Sequence, residues 1–336
     1  MAVSTIGDMR QQFLTTRHNT AMKNELNTLA QELTTGEVAD ITSHLGGAQT
    51  TLAGVDRQLQ MLGQFSQANA ETGHLLSVMQ TALAGLDSHR ETASSTLLMI
   101  GASSTPSQIS VASSIAASSF EATVQTLNLR SGDRAMFGGN DLDGNPLVNG
   151  DDMLATLRAQ VTGLTTTSDI DAAIDTWFDA PGGGFETDGY QGDPNGYLNR
   201  ATAANQTVEI GVRADDQAIR DTLKSLAKGA LAGDTTLSLD INTQRELQMK
   251  AGVGLLSSAS SMAGVQARLG YAQAQVEEAA VRTSAQESSY GIMRNNLVSA
   301  DPFETATRLQ SIQLQLETHY TLTARLSRLS LTEYLR

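Results

Sequence analysis

The chain has no cysteine. Disulfide bridges, thiolate nucleophiles and Cys-ligated metals are therefore excluded, and with them the usual stapling of small exported domains. Large rings are scarce: aromatics are 4% of the residues, with a single tryptophan, Trp177. A core built under that restriction must be aliphatic and alanine-rich, which suits long helices packed side by side. Basic residues are outnumbered, 22 Lys and Arg against 36 Asp and Glu, for a net charge of −14. The sequence has no basic cluster, which argues against nucleic acid and against an anionic membrane surface as partners. Nor does any apolar run approach the ~20 residues of a membrane span. The opening stretch, MAVSTIGDMRQQF, lacks a basic segment followed by an apolar one, so no cleaved secretory signal is expected.

Recognisable chemistry is also missing. His18, His44, His74, His89 and His319 include no pair spaced to hold a metal from one helical turn. There is no G-x-S-x-G nucleophile elbow and no phosphate-cradling G-x-x-x-x-G-K run. Asp141-Leu142-Asp143-Gly144-Asn145 has its Gly out of position for a calcium loop and lacks the closing Glu, so it reads as an Asx/Gly turn. Asp215-Asp216 and Glu277-Glu278 read as helix starts or solvated faces. No catalytic residue, cofactor or metal is expected, and the chain is not read as an enzyme.

What is present is helix. Met9, Phe13, Met22, Leu26, Leu29 and Leu33 recur near one end, mostly at steps of three or four. Leu309, Ile312, Leu316, Tyr320, Leu326 and Leu329 do so near the other. The first run covers about 8–34 and stops near Gly36. A second covers about 48–100. A third follows Thr105-Pro106-Ser107-Gln108, with a Thr cap, Pro at the first helical position and Gln three after the cap, and ends at Gly132. Thr243-Gln244-Arg245-Glu246 reads as a capping box opening a run to about 298. Asp301-Pro302-Phe303-Glu304 opens the last helix. Between them, glycine pairs such as Gly138-Gly139 and Asn195-Gly196 mark turns. The alternation of Val208, Ile210 and Val212 suggests a strand, and Ile219, Leu223, Leu226 and Ala230 form one helix face.

The expected fold is mainly α: an elongated bundle of long antiparallel helices from both chain ends, with a small α/β-containing module inserted in the middle. The expected divisions are 1–45 (axial assembly helix), 46–135 (helical rod, first half), 136–240 (mixed module with surface loops), 241–299 (rod, second half) and 300–336 (second axial helix). Trp177 and Phe178 are expected to form the module's own small core, and 150–200 to be dispensable for folding. The inner stripes are ordinary bundle core. The terminal stripes could pack only on one another within one chain, which is a weak core. Phe13, Leu26, Leu29, Leu33, Leu309, Ile312, Leu316, Tyr320, Leu326 and Leu329 are therefore expected to form an assembly interface.

Three segments carry a family resemblance. Leu26-Asn27-Thr28-Leu29-Ala30-Gln31-Glu32-Leu33-Thr34-Thr35-Gly36 resembles the end of the N-terminal helix of the flagellin superfamily. Arg134-Ala135-Met136-Phe137-Gly138-Gly139-Asn140 and Ala324-Arg325-Leu326-Ser327-Arg328-Leu329-Ser330-Leu331-Thr332-Glu333-Tyr334-Leu335 resemble segments of the hook-associated protein 3 family, the hook-filament junction proteins. The resemblance extends to about Val208–Leu226 and leaves out about 145–205. Val38-Ala39-Asp40-Ile41-Thr42-Ser43-His44-Leu45 stands where the family usually has an Asp-Asp-Pro-type segment. The resemblance implies export through the flagellar type III apparatus on an uncleaved N-terminal segment, an extracellular location in the bacterial flagellum, and polymerisation through the terminal helices. It implies as partners further copies of the chain, hook-associated protein 1, flagellin and an export chaperone. An adaptor at the hook-filament junction is the first reading and flagellin itself the second. A cytoplasmic coiled-coil signalling module, suggested by the Ala/Gln/Glu-rich stretch 259–288, is the third.

Overall fold

The computed structural model describes residues 6–334. In chain order these form α1 (Ile6–Thr35), α2 (Ile41–Leu45), α3 (Gln49–Leu98), α4 (Pro106–Leu127), β1 (Arg130–Ser131), β2 (Arg134–Ala135), α5 (Gly150–Val161), α6 (Thr167–Asp179), β3 (Leu198–Ala203), β4 (Gln206–Ile210), α7 (Gln217–Ala232), α8 (Ile241–Val298) and α9 (Pro302–Tyr334). The fold is mainly α. The chain divides into two compact units, Met1–Gly63 with Ala285–Arg336, and Gln64–Ser284.

Local chemistry accounts for most helix boundaries. Thr105 accepts the Gln108 amide while the Gln108 side chain accepts the Thr105 amide, a complete capping box in front of Pro106. Asp301 accepts from the amides of Phe303 (2.8 Å) and Glu304 (3.2 Å), with Pro302 at the first position of α9. Two expectations need correction. The cap of α8 is not Thr243 but Asp240, whose carboxylate accepts from the amides of Asn242 and Thr243 and from the Thr243 hydroxyl. Thr243 and Glu246 already lie inside the helix, and Glu246 accepts instead from the Thr167 hydroxyl at the start of α6. The third helix ends at Leu127 with Asn128 as its cap, whereas Gly132 (φ +60°) turns between β1 and β2.

The Gln64–Ser284 unit has one continuous core. Leu76, Met79 and Leu83 of α3, Ile109, Ala116 and Phe120 of α4, Ile219, Leu223 and Leu226 of α7, and Leu247, Leu255 and Met262 of α8 are all fully buried in it. Small residues let the helices approach. A Cβ on Gly229 would lie 2.9 Å from Leu97 and 3.0 Å from Ala116. Buried side chains stitch one helix to the next helix's backbone: Gln248 donates to the Ile109 carbonyl (2.8 Å), Ser113 to that of Gly229 (2.8 Å) and Arg90 to that of Leu255 (3.0 Å). Each such bond satisfies a group that would be costly to bury alone.

The middle of the chain belongs to this same core. Residues expected to be loop-rich fold into α5 and α6, and Leu157, Ile170, Ile174, Trp177, Phe178 and Phe185 join the cluster formed by the long helices. Trp177 meets Phe178 edge-on at 4.7 Å between centroids, and Phe178 lies 5.5 Å from Phe185. The Arg220 guanidinium covers the Phe185 ring at 5.0 Å and donates to the Phe178 carbonyl. The aromatic set is therefore a continuation of the helical core and not a separate one. The only sheets among the described residues are the two-residue ladder of β1 with β2 and the β3–β4 hairpin. The strand around Val208 and Ile210 and the helix following it stand where the alternation placed them. Gly139 (φ +68°) is required where two loops cross, since a Cβ there would lie 2.6 Å from the Gly196 carbonyl oxygen and 2.8 Å from that of Asp193.

Charges pair across α6 and α7. Asp171, Asp175 and Asp179 recur every fourth residue on one face of α6. Lys228 meets Asp171 and Asp175, Lys224 meets Asp175 and Asp179, and Lys250 of α8 lies 3.3 Å from Asp171. Burial works against the Asp171 charge, but the hydrogen bonds and charges of Lys228 and Lys250 together outweigh it and hold the carboxyl below the usual range. A carboxyl with a depressed pKa contributes stability that is fully present above its unfolded value and lost as pH falls through the folded one. Thermal melts of the wild type and Asp171→Asn between neutral pH and about pH 2.5 test this. The variant is expected to melt lower at neutral pH and to lose less on acidification below about pH 4. Identical acid slopes for the two proteins would contradict it.

Candidate assembly site

Within the unit formed by Met1–Gly63 and Ala285–Arg336, α1 and α9 run antiparallel. Their register is set where the connector leaving α1 meets the connector entering α9. The Val38 amide donates to the Val298 carbonyl and the Ala300 amide to the Gly36 carbonyl, both at 2.9 Å, around an antiparallel bridge of Glu37 with Ser299. Gly36 (φ +71°) makes the turn that brings its carbonyl to this bridge. Arg294 clamps the junction, reaching Glu37 at 2.7 Å and Asp56 of α3 at 3.1 Å. The register brings Arg308 to 3.6 Å from Glu25, the Tyr320 hydroxyl to Asn19 and the His319 ring to 5.8 Å from His18. Hydrogen bonding to Lys23 lowers the Tyr320 phenol from its ordinary pKa.

The apolar contact between the two helices is narrow. Met22, Leu29, Ile312 and Leu316 are buried, and Leu26 and Leu309 pack against them half-buried. Each fully buried side chain contributes about 1.5–3 kcal/mol, and a helix pair held by so few is close to the marginal limit. The remaining expected interface residues lie elsewhere. Leu33 is 44% exposed, Tyr320 48% and Phe13 66%. Leu326 and Leu329 fall outside the residues whose side chains are described.

Helical geometry explains Phe13. It precedes Met22 by nine residues, which at 3.6 residues per turn is ~180° around the helix. The N-terminal stripe is therefore two stripes. Met22, Leu26 and Leu29 face α9, whereas Met9 and Phe13 lie on the opposite side and remain exposed. On α9 the sequence reading missed Phe303, Leu314 and Leu322, which are 83%, 65% and 54% exposed. Phe303 and Leu314 lie ~160–180° from Ile312 by the same geometry. The two helices thus keep an outer set of large apolar side chains that their mutual contact does not use. A shallow cleft of about 540 Å³ along the flank of α9 runs from Leu26, Leu316 and Tyr320 round to Leu314. Among the described residues, no group of three or more His, Cys, Asp or Glu is placed to hold a metal, and no helix is long and apolar enough to cross a membrane.

Comparison with known proteins adds one assignment. Residues 255–335, the later part of α8 and all of α9, match the bacterial flagellin C-terminal helical region. No curated protein matches the chain. Among solved structures, a Vibrio parahaemolyticus protein assigned as a flagellar hook-associated protein aligns with 74% of this chain and 94% of its own, at 12% identity and a TM-score of 0.46, too low to carry a functional argument.

Replacing Ile312 and Leu316 together by Asp places two charges in the α1–α9 contact, at a cost of several kcal/mol. Neither residue belongs to the core of the Gln64–Ser284 unit. Hydrogen exchange on the double variant should lose protection in α1 and α9 while that unit keeps its own. Wild-type protection across 309–322 would show that the contact does not hold the pair together.

Proposed function

We propose that this chain, whose residues 255–335 are a flagellin-type C-terminal helical region, is a structural subunit of the bacterial flagellum that assembles through α1 and α9. The observation that carries the reading is that match, because it falls on the helix that pairs with α1 and presents Leu314 and Leu322 outward. Large apolar residues on an outer helix face are the ordinary mark of a surface buried in an assembly. Head-to-tail contacts of that kind generate open helical arrays or stacked rings.

Within the flagellum, the segments Arg134–Asn140 and Ala324–Leu335 favour the hook-filament junction, where the chain would act as an adaptor between hook-associated protein 1 and flagellin. Phe13, Leu26, Leu29, Leu33, Leu309, Ile312, Leu316, Tyr320, Leu326 and Leu329 would then contribute to axial contacts, with Phe303 and Leu314 added. An extracellular location, type III export and an export chaperone accompany that reading, and no catalytic role does. The alternative is the filament subunit itself, favoured by the flagellin family matched over 255–335.

A deletion strain separates the two. Loss of the junction adaptor should leave intact hooks while flagellin is shed as monomer into the medium. Loss of the filament subunit should leave hooks with no shed flagellin, and the purified protein should polymerise alone. Normal filaments and normal swimming in the deletion strain would overturn both.

A further inference from the structure

Two arginines between residues 64 and 284, Arg134 and Arg200, make no ion pair and no side-chain hydrogen bond among the described residues. Every other Lys and Arg in that unit meets a carboxylate or donates to a backbone carbonyl. These two line the same cleft.

The cleft has a volume of about 420 Å³ and lies over α3, whose Ala68 and Thr72 form its floor. Arg134 stands on β2 at one side, and Arg200 on β3 at the other. Leu198, Arg200 and Thr202 form the inward row of the β3–β4 hairpin, opposite buried Ile210 and Val208. Arg200 is the one charged residue of that row. The hairpin is pinned to α3 beside it, where the Asn69 side chain donates to the Thr202 carbonyl at 3.2 Å. Arg200 is thus held half-buried by the fold with no carboxylate at ion-pair distance, and Glu71 acts on it only from the rim. Burial, reinforced by the neighbouring Arg134 charge, pushes its guanidinium pKa down, against the pull of Glu71 at the rim. Glu71 is instead hydrogen-bonded to Gln67 at 3.0 Å, and His74 lines the same rim. A half-buried cation whose charge is only partly offset is costly. Guanidinium groups are the usual means of holding carboxylates and phosphates in a fixed geometry.

We propose that this cleft binds a small oxyanion bearing two or more carboxylate or phosphate groups, held between Arg134 and Arg200 with His74 at the rim. A water occupies ~30 Å³ of liquid, so the cleft has room for a molecule well beyond a single carboxylate, and its size falls within the usual range for small-molecule sites. The two guanidiniums come from separate strands, which suits two anionic groups on one ligand. The proposal is independent of the flagellar reading.

Isothermal titration with citrate and with inorganic pyrophosphate, at ionic strength held constant with sodium chloride, tests it. Saturable binding of citrate alone, pyrophosphate alone or both supports the site and tells carboxylate from phosphate recognition. Arg134→Gln and Arg200→Gln should each weaken binding by about tenfold or more, and Arg57→Gln, an exposed arginine outside the cleft, should leave it unchanged. Arg134 is exposed, so its variant reads the site even if Arg200→Gln fails to fold. Amide shift changes in the wild type should centre on Ala68, Ser131 and Ala201. The proposal is overturned if neither probe binds saturably, if binding survives Arg134→Gln undiminished, or if shifts centre elsewhere.

Discussion

The register between α1 and α9 is fixed at one short junction. Two backbone hydrogen bonds around Glu37 and Ser299, clamped by Arg294, hold the connectors at the ends of these helices together. Once that junction is set, the 3.6-residue period decides which side chains of each helix meet and which do not. Met22, Leu29, Ile312 and Leu316 go inward, and Phe13, Phe303 and Leu314 go outward. A shift by two residues would rotate a helix by ~200° and exchange inner for outer residues. The apolar outer set is therefore a consequence of the junction and not of the helices taken singly.

The Gln64–Ser284 unit obeys a different constraint. With few aromatics and no disulfides, its stability rests on close approach of long helices through Ala, Gly and Ser, and on side chains such as Gln248 and Arg90 that satisfy themselves on a neighbour's backbone. Three of its aromatic residues, Trp177, Phe178 and Phe185, meet one another and close one side of that same core. Removing 150–200 would strip Leu157, Ile170, Ile174 and these rings from it. The expectation of a dispensable surface insertion thus gives way to an integral part of the helical core.

Much of this was legible in the sequence where chemistry is local. Thr105, Pro106, Asp301 and Pro302 announce their helices because caps depend on neighbours within three residues. The cap of the helix beginning at Ile241 is hidden because Thr243 and Glu246 imitate a capping box while Asp240 does the capping. Helices α5 and α6 are masked in the sequence: Met153, Leu157 and Val161, then Ile170, Ile174 and Trp177, carry helical spacing, but the flanking glycines and aspartates carry a turn signal over it. Asp171, Asp175 and Asp179, with Lys224 and Lys228, also stood in the sequence as matched four-residue ladders. What could not be read was the junction of Glu37 with Ser299, since a contact over that separation has no local signal. Without it, Met9, Phe13 and Met22 read as one stripe.

The central claim is that the outer faces of α1 and α9 are open in the single chain and buried in the assembled flagellum. The absence of cysteine makes it directly measurable. Phe13→Cys and Leu314→Cys, introduced singly, can be challenged with a maleimide in dilute monomer and again in isolated flagella. The account predicts fast labelling of both positions in the monomer and strong protection of both after assembly. Equal labelling in the two states would contradict it.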